Sequence, residues 1–371
     1  MKKIKILHVI GIMDYGGAET MIMNLYRKID KNKFQFDFLV HQNREGAFDK
    51  EILSYGGKIF CVPEYKVYNY FSYRRTCEKF FHTHSNYDIV HGHIESCASI
   101  YLNEAKKVGI YTIAHSHSAG FQSFVPKVLY DLLTHNTRYV ADYFFACSIQ
   151  AGINRFGKRV VDSDRFRVFN NGIETQKYIF SDARQRELKS EWEIEGKTVI
   201  GHVGRMSKEK NQKFLLNLLE DLCSSVNKEF VLVFVGDGPE RANLEAATEE
   251  KGMKRKVIFT GIRKDVSDLM NMFDVFVFPS IYEGLPIALV EAQASGLPCV
   301  VSDVITDQAI FVNNVKKVSL KESNCIWITT ILDLLNGERT NNCEAIKKAG
   351  FDVDETVKEL ENVYEKYSKK R

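Results

Sequence analysis

The sequence predicts an α/β fold made of two doubly wound domains, each with a parallel β-sheet between layers of helices. Three observations predict it. Short apolar runs alternate with helical stretches along the chain, which is typical of parallel sheets. The alternation stops at the turn signal Asn170-Asn171-Gly172 and then starts again. A chain of 371 residues is also long enough for two cores of ordinary size.

The first half opens with an apolar run suited to a buried parallel strand. Strands are predicted at 4–10, 36–40, 59–63, 88–91, 111–115 and 143–148. A first helix follows Gly17, with Ile22, Leu25 and Ile29 on one face, and a second is predicted at 73–81. We place the interdomain linker just after Gly172.

The second half repeats the pattern and ends in a long helix. Strands are predicted at 198–204, 230–236, 257–261, 275–279 and 298–302. The stretch 354–369 is amphipathic, with its apolar side chains on one face. The predicted domains are therefore 1–172, 173–350 and a C-terminal helix at 351–371. Ligands of such sheets bind beyond the carboxyl ends of the strands, so we expect a site in a cleft there.

The net charge, the N-terminus and the cysteines disfavour a nucleic-acid-binding, a secreted or a membrane-spanning protein. The net charge is only +3, from 51 basic and 48 acidic side chains, which does not favour a nucleic-acid partner. The N-terminus lacks the features of a signal peptide, and no apolar run is long enough to span a membrane. The eight cysteines contain no C-x-x-C pair, so we expect reduced, mostly buried thiols and a cytoplasmic protein.

Two carboxylates, Glu283 and Glu291, flank a predicted helix start after the strand at 275–279. Pro286 suits the first position of that helix. The free amides of Gly284 and Leu285 and the helix dipole favour a phosphate, and the carboxylates can hold sugar hydroxyls. A solvated loop glutamate and a helix-surface glutamate explain the same residues without a site.

Two cations follow the strand at 198–204. Arg205 and Lys210 lie between that strand and the next predicted helix. Fixed cations at this point can neutralise a leaving diphosphate without a metal. A surface charge run is the alternative, although the glycine at the strand end, Gly204, makes it less favoured.

Gly16 and Gly17 separate the first strand from its helix. Glycine allows a backbone to approach a phosphate closely, and the helix start behind it helps. A plain tight turn explains the pair equally well. The segment is not a G-x-G-x-x-G fingerprint, so a dinucleotide-dependent dehydrogenase is not indicated.

Histidine pairs support a rival hypothesis, a zinc-dependent hydrolase. Three H-x-H pairs occur at 82–84, 91–93 and 115–117, and such a pair on a strand can bind zinc. Nine of the ten histidines precede residue 140 and no H-E-x-x-H occurs, so we favour packed or cleft-edge side chains. The two D-x-D matches, at 162–164 and 352–354, are interpreted as structural.

Together these segments resemble the retaining glycosyltransferases of the GT-B architecture, family 4 type, and most closely those of bacterial exopolysaccharide and capsule synthesis. The motifs that carry the resemblance span most of the chain and are Gly16-Gly17-Ala18-Glu19, His115-Ser116-His117, Asn171-Gly172-Ile173-Glu174, 204–211, Gly236-Asp237-Gly238 and the E-x7-E pair Glu283/Glu291. The resemblance implies two Rossmann-like domains facing a cleft, with the C-terminal helix crossing back to the N-terminal domain.

The resemblance also implies roles for individual residues. Arg205 and Lys210 match the diphosphate-binding cations, and Glu291 matches the carboxylate that holds the donor ribose. Glu283 matches the residue that meets the donor sugar. The remaining matches are Gly284 and Leu285 at the donor sugar, Ile262 in the slot for the base, Gly16 and Gly17 at the phosphates, and His115 near the reacting carbon.

We prefer His115 to His117 for the last role because it is the first of the two after the apolar part of the strand. The donor implied is a nucleotide diphosphate sugar, which we expect to be a UDP-sugar, with no metal and no cofactor. The acceptor implied is a saccharide or a lipid-linked saccharide. The family's glycine-rich loop is missing after Ser302-Asp303, which affects the far edge of the donor pocket.

Several alternatives stay open on the sequence. A sugar-nucleotide epimerase shares the two-domain architecture. A non-catalytic scaffold that binds a partner transferase is a further alternative, which donor binding without turnover would support. The stretch 121–143, which includes Lys127, Tyr130, Arg138 and Tyr139, is a candidate for peripheral contact with the cytoplasmic face of the membrane. Ordinary helix surface explains that stretch as well.

Overall fold

The structure is a computed structural model that describes residues 2–117 and 134–368. The chain divides into two compact units. Unit 1 comprises residues 1–172 and 353–371, and unit 2 comprises Ile173–Asp352. Each unit is built around its own parallel sheet. The expected α/β fold with two Rossmann-like domains is therefore confirmed.

Unit 1 contains a seven-stranded sheet whose order is β3-β2-β1-β4-β5-β6-β7. All its strand pairs are parallel. The strands are β1 Ile4–Ile10, β2 Phe34–Val40, β3 Ile59–Cys61, β4 Ile89–Gly92, β5 Tyr111–Ser116, β6 Tyr143–Ala146 and β7 Phe166–Val168. From β1 the chain adds β2 and β3 on one side of the sheet and then β4 to β7 on the other. The carboxyl ends of β1 and β4 are therefore the topological switch point, where ligands bind in such sheets.

The described helices of unit 1 before the linker cover both faces of this sheet, as its two hydrophobic clusters show. They are α1 Gly17–Lys28, α2 Asp49–Ser54, α3 Tyr70–Thr83, α4 Ala98–Lys107, α5 Thr137–Val140, α6 Ile149–Phe156 and α7 Lys158–Val161. The apolar residues of β1 alternate between the clusters, with Ile6 in one and Leu7 in the other.

Unit 2 contains a six-stranded sheet whose order is β10-β9-β8-β11-β12-β13. These pairs are also all parallel. The strands are β8 Thr198–Val203, β9 Phe230–Val235, β10 Val257–Phe259, β11 Val275–Phe278, β12 Cys299–Ser302 and β13 Val315–Val318. Here the switch point lies between β8 and β11, the two strands that precede the predicted donor-binding motifs.

The described helices of unit 2 pack on both faces of its sheet. They are α8 Asp182–Glu191, α9 Gln212–Ser225, α10 Arg241–Glu250, α11 Val266–Met272, α12 Ile287–Ala294, α13 Asn324–Leu335 and α14 Cys343–Lys348. Short 3-10 turns at Thr175–Tyr178 and Lys208–Lys210 carry residues of the candidate site.

The last helix, α15, covers Val353–Ser368 and joins the core of unit 1. Val357, Leu360, Tyr364 and Tyr367 are buried, as the amphipathic pattern predicts. The Tyr364 hydroxyl lies 2.7 Å from Nδ1 of His91 in β4. The predicted crossing of the C-terminal helix back to the N-terminal domain is therefore confirmed.

Two strands, β7 and β13, were not predicted from the sequence. The strand β7 has three residues, and none of them is fully buried. The strand β13 places two exposed lysines, Lys316 and Lys317, between buried valines. Each lies at an edge of its sheet, where one side needs no apolar run.

The state of the cysteines and the length of the described helices match what the sequence predicts. All eight cysteines are free, and five of them are buried. No described helix is both long enough and apolar enough to cross a membrane. The D-x-D residue Asp352 accepts a 2.5 Å hydrogen bond from the Thr175 hydroxyl, which fits the structural role predicted for it.

Candidate functional site

An ion pair between Lys210 and Glu283 occupies the switch point of unit 2. Lys210 Nζ lies 2.5 Å from Glu283 Oε1. The side chains are 20% and 10% exposed, so the pair is largely withdrawn from solvent. The Lys210 ammonium also lies 4.9 Å from the centre of the Phe278 ring, a cation–π distance. The structure thus brings together two of the predicted site residues that are far apart in sequence.

Backbone contacts between the two loops hold this pair in place. Asn211 adopts a left-handed conformation with φ 56°, and its side-chain amide donates to the carbonyl of Pro279 at 3.1 Å. The amide of Ile281 donates to the carbonyl of Glu209 at 2.8 Å. The loop after β8 is therefore fastened to the loop after β11, which fixes the base of Lys210 relative to Glu283.

Arg205 differs from Lys210 because its guanidinium is exposed and forms no ion pair with any residue the structure describes. Its carbonyl oxygen accepts a 2.8 Å hydrogen bond from the Gln212 side chain. Gln212 Nε2 also lies 3.3 Å from Nε2 of His202, which is buried with a pKa lowered by burial to about 4. The backbone of Arg205 is fixed while its cation faces solvent.

Two glycines allow the loop after β9 to touch the loop after β8. A Cβ on Gly236, which has φ 128°, would meet the carbonyl oxygen of Gly204 at 2.2 Å. A Cβ on Gly238 would meet the carbonyl oxygen of Met206 at 2.3 Å. The Gly236-Asp237-Gly238 motif is thus explained by close packing beneath Arg205.

Glu291 lies on α12 and has a partner that the sequence did not reveal. Its Oε1 accepts a 2.5 Å hydrogen bond from the hydroxyl of Tyr178. Burial raises the pKa of Glu291 to about 7, and the Tyr178 hydrogen bond opposes that rise. The carboxylate therefore changes charge near neutral pH.

The start of α12 corrects one prediction. Pro286 was expected at the first helical position, but the helix begins at Ile287 and Pro286 is the N-cap, with ψ 100°. Its extended backbone lets its carbonyl accept from Leu289 at 3.0 Å. The amides of Gly284 and Leu285, just before it, donate no hydrogen bond within the described chain.

Ile262 follows β10 at the same edge of the sheet. It is 53% exposed, and Gly261 before it has φ 68°. The amide of Gly236 donates to the Gly261 carbonyl at 2.9 Å, which joins this loop to the one after β9. An exposed aliphatic side chain beyond a strand end is suited to packing against a planar group.

In unit 1, the glycine pair lies at the N-terminus of α1, and Gly16 is the N-cap. A Cβ on Gly16 would lie 2.1 Å from Oε2 of Glu19, so this carboxylate folds back over the helix start. Burial raises the pKa of Glu19. A carboxylate here is stabilised by the helix dipole in the way a phosphate would be.

The reason for preferring His115 was wrong. His115 lies inside β5, which continues to Ser116 because Ser116 pairs with Ala146 of β6. His117 is therefore the first residue after the strand. His115 is 2% exposed, whereas His117 is half-buried.

Two of the three H-x-H pairs meet His8 in a cluster of five histidines, which we call the histidine cluster: His8, His91, His93, His115 and His117. Burial lowers the pKa of His8 to about 3 and that of His117 to about 4. His8 and His91 are in register on neighbouring strands. The pair at 82–84 lies on and after α3 and does not join the cluster.

Comparison with known proteins gives the family. The model named Glycosyltransferase Family 4 matches residues 15–177, and the model named Glycosyl transferases group 1 matches 184–352. The chain is 36% identical to EpsF of Bacillus subtilis (strain 168), named as a glycosyltransferase, over 97% of this chain and 96% of that one. The chain belongs to the family 4 glycosyltransferases. The epimerase and zinc-hydrolase alternatives are thereby set aside.

Two further proteins are similar to this family 4 glycosyltransferase. An Escherichia coli protein named UDP-Gal:alpha-D-GlcNAc-diphosphoundecaprenol alpha-1,3-galactosyltransferase is 25% identical over 75% of each chain. Anabaena Alr3699/HepE, whose crystal structure is a complex with UDP, superposes with a TM-score of 0.77 at 18% identity, over 98% of this chain and 100% of that one. The second likeness supports the fold.

Tyr178 of this family 4 glycosyltransferase was not predicted as a site residue from the sequence. The residue follows the Asn171-Gly172-Ile173-Glu174 motif at the end of a short 3-10 turn. Its partner Glu291 is 113 positions away, so no local spacing links the two. The only available signal was a tyrosine close to a recognised motif.

Proposed function

We propose that this glycosyltransferase uses a nucleotide diphosphate sugar, specifically a UDP-sugar, and transfers the sugar with retention at the anomeric carbon. The observation that carries the proposal is the Lys210–Glu283 ion pair at the switch point of unit 2. It offers one cation for a diphosphate and one carboxylate for sugar hydroxyls at the edge where doubly wound sheets bind ligands.

The leaving group is the nucleoside diphosphate, and its developing charge needs stabilisation. Two cations lie beyond the strand ends, Lys210 and the exposed Arg205. The backbone amides of Gly284 and Leu285, which donate no hydrogen bond within the described chain, add dipoles that can stabilise negative charge. Lys210 is held by the packed loops, so it needs little rearrangement when the bond breaks. We propose that these groups neutralise the diphosphate without a metal.

Glu291 is proposed to hold the donor ribose. An ionised carboxylate accepts hydrogen bonds from two neighbouring hydroxyls, and these bonds are stronger than those between neutral groups. The Tyr178 hydroxyl fixes one carboxylate oxygen and leaves the other for the ligand. Ile262 is proposed to pack against the base.

The acceptor side is proposed to involve unit 1. Gly16 and Gly17 would contact the phosphates, and His115 or His117 would lie near the reacting carbon. The acceptor is a saccharide or a lipid-linked saccharide in exopolysaccharide, capsule or related glycan synthesis. UDP is supported by the complex of HepE with UDP, and a lipid-linked acceptor by the diphosphoundecaprenol in the name of the Escherichia coli relative.

The test is a transfer assay with UDP-, GDP- and ADP-sugars and acceptors with and without a polyprenyl diphosphate. We expect product with UDP-sugars, and an α-linked product from an α-linked donor by NMR of the anomeric proton. A β-linked product from that donor would contradict retention. Release of UDP without any linked product would contradict transfer to these acceptors.

A peripheral contact with the cytoplasmic membrane face is a second proposal. The stretch predicted for it lies largely outside the described residues, since only 134–143 of 121–143 is described. Tyr139 in that part is exposed. Tyr68 and Phe71, at 84% and 82% exposed, are further exposed aromatic side chains of unit 1 and add support. Sedimentation with anionic vesicles, which these aromatic side chains should promote, tests it.

A further inference from the structure

The histidine cluster lies at the switch point of unit 1 and is larger than the proposed transfer requires. His8 comes from β1, His91 and His93 from the end of β4, and His115 and His117 from the end of β5. The rings of His91 and His115 stack at 5.3 Å, and those of His115 and His117 at 4.1 Å. A parallel sheet thus gathers five imidazoles at one edge.

We propose that His93, His115 and His117 bind one divalent transition-metal ion, with Zn²⁺ the expected ion. Each of the three offers a ring nitrogen within 4.8 Å of the other two. Three histidine nitrogens with one further open position form a recognised zinc geometry, and imidazole is a preferred ligand of this ion.

Ring nitrogens without a hydrogen-bond partner among the described residues lie at the proposed metal site. Both ring nitrogens of His115 and Nδ1 of His117 are buried and hydrogen-bond to no described residue. Buried polar atoms without a hydrogen-bond partner are uncommon in native proteins, and a bound ion or water is a usual explanation. An ion would occupy a nitrogen on each ring, and His115 could bind it without giving up an existing hydrogen bond.

The spacing of the rings suits a small ion. His93 Nδ1 lies 2.8 Å from His117 Nε2. Two nitrogens bound to one tetrahedral zinc at ~2.0–2.1 Å are roughly 3.3 Å apart. An ion between the two rings, in place of the proton they share, therefore needs the two nitrogens to separate by only about half an ångström.

Neighbouring groups already orient His93. Its Nε2 lies 3.0 Å from His8 Nδ1, which leaves its Nδ1 to face His117. Metal-binding histidines commonly hold their second nitrogen in such a hydrogen bond, which fixes the ring. We therefore infer that His8 positions His93, and that it does not itself bind the ion.

The three rings differ in exposure. His93 and His115 are buried, whereas His117 is half-buried at the strand end. Among the described residues of unit 1, His117 is therefore the proposed ligand nearest to solvent. All residues of this site belong to unit 1, and the diphosphate-binding residues Arg205 and Lys210 belong to unit 2. The inference does not rest on the proposed donor.

The test is a titration of the full chain, first dialysed against a chelator, with Co²⁺ followed by visible absorption. We expect ligand-field bands that saturate at one Co²⁺ per chain, are lost on adding Zn²⁺ and persist in excess Mg²⁺. The His93→Asn and His117→Asn variants should bind at least tenfold more weakly. His8→Asn should weaken binding by ~10–100-fold through loss of the orienting hydrogen bond.

His82→Asn is the matched control, because it belongs to the H-x-H pair outside the cluster and is exposed. It should bind like the parent. Metal-free melting of each variant separates misfolding from ligand loss, and His117, the least buried ligand, is the variant best able to fold. Absence of bands at one equivalent, or parent-like binding by folded His117→Asn and His93→Asn, would overturn the proposal. Near-ultraviolet thiolate charge-transfer bands would also overturn it.

Discussion

The Tyr178 hydroxyl donates a 2.5 Å hydrogen bond to Oε1 of Glu291, and both residues belong to unit 2. Tyr178 is buried in the unit 2 core, so it has little freedom to move with the carboxylate. Burial raises the pKa of Glu291 to about 7, and this hydrogen bond opposes the rise. In the proposed donor site, the hydrogen bonds between Glu291 and the ribose would therefore depend on the charge of this carboxylate near neutral pH.

Removing the Tyr178 hydroxyl should weaken nucleotide binding. In Tyr178→Phe, Glu291 loses the hydrogen bond that stabilises its ionised form, so its pKa should rise further. We expect UDP to bind at least about tenfold more weakly at pH 7, since a hydrogen bond to a charged group is worth ~1.5–3 kcal/mol. Calorimetric titration measures this. The difference should narrow at pH 9, where both proteins carry an ionised Glu291; a constant difference would indicate a merely structural role.

Nucleotide affinity should depend on pH through Glu291. The ionised form accepts the ribose hydroxyls, so affinity should fall by up to about tenfold per pH unit below pH 7 and level off above it. Glu291→Gln, which cannot ionise, should remove this slope and leave only the titration of UDP itself. Parent and variant with the same pH profile would contradict the role of Glu291.

The contribution of Glu291 to folding stability should fall as the pH rises, whereas its contribution to nucleotide affinity should increase. The pKa of Glu291 rises from an ordinary 4.5 to about 7 on folding, so the native state holds the proton more tightly. Its stabilising contribution is complete below pH 4.5 and is lost as the pH rises through 7. The difference in urea unfolding between parent and Glu291→Gln, measured from pH 4.5 to 8, reports this contribution.

Lys210→Ala should impair transfer far more than folding. The variant removes the cation proposed to stabilise the departing diphosphate, and loss of one such group costs ~10²–10³ in kcat. Lys208→Ala is the control, because Lys208 is an exposed lysine of the same 3-10 turn. It should retain activity within about threefold. Equal losses in both variants would show that only the general positive charge of the loop matters.

Gly236→Ala should destabilise unit 2 through a backbone clash. The added Cβ would lie 2.2 Å from the carbonyl oxygen of Gly204, at a φ of 128°. We expect a loss of about 3 kcal/mol or more in the free energy of unfolding. Gly252→Ala, with φ 64° and no atom within 4 Å of the new Cβ, should lose only about 1 kcal/mol. Urea unfolding of both variants separates steric clash from conformational strain.

Much of the fold could be predicted because buried parallel strands are continuous apolar runs. Phe230–Val235 is buried throughout and was found within one residue of its end. The edge strands β7 and β13 were missed because half-exposed residues leave no apolar run. The start of α12 was predicted one residue early, at Pro286 instead of Ile287, because proline is favoured at the first helical position whereas here it is the N-cap.

The candidate site was only partly predictable, because spacing shows which residues follow a strand but not which ones meet. Lys210 and Glu283 were both identified, yet their ion pair depends on β8 and β11 being neighbours in the sheet. The H-x-H pairs were noticed, but their convergence with His8 depends on the order of β1, β4 and β5. For Tyr178 the only local signal was its place shortly after the Asn171-Gly172-Ile173-Glu174 motif, which does not point to Glu291.

The most direct test of the central claim is a thermal shift of the parent and of Glu291→Ala with UDP, GDP and ADP, in the presence of a chelator. At about 100 times its dissociation constant, UDP should add ~2.7 kcal/mol to the stability of the parent. We predict this shift for UDP, and its loss in the variant. No shift with any nucleotide in a folded parent, or an equal shift in the variant, would contradict the donor site proposed here.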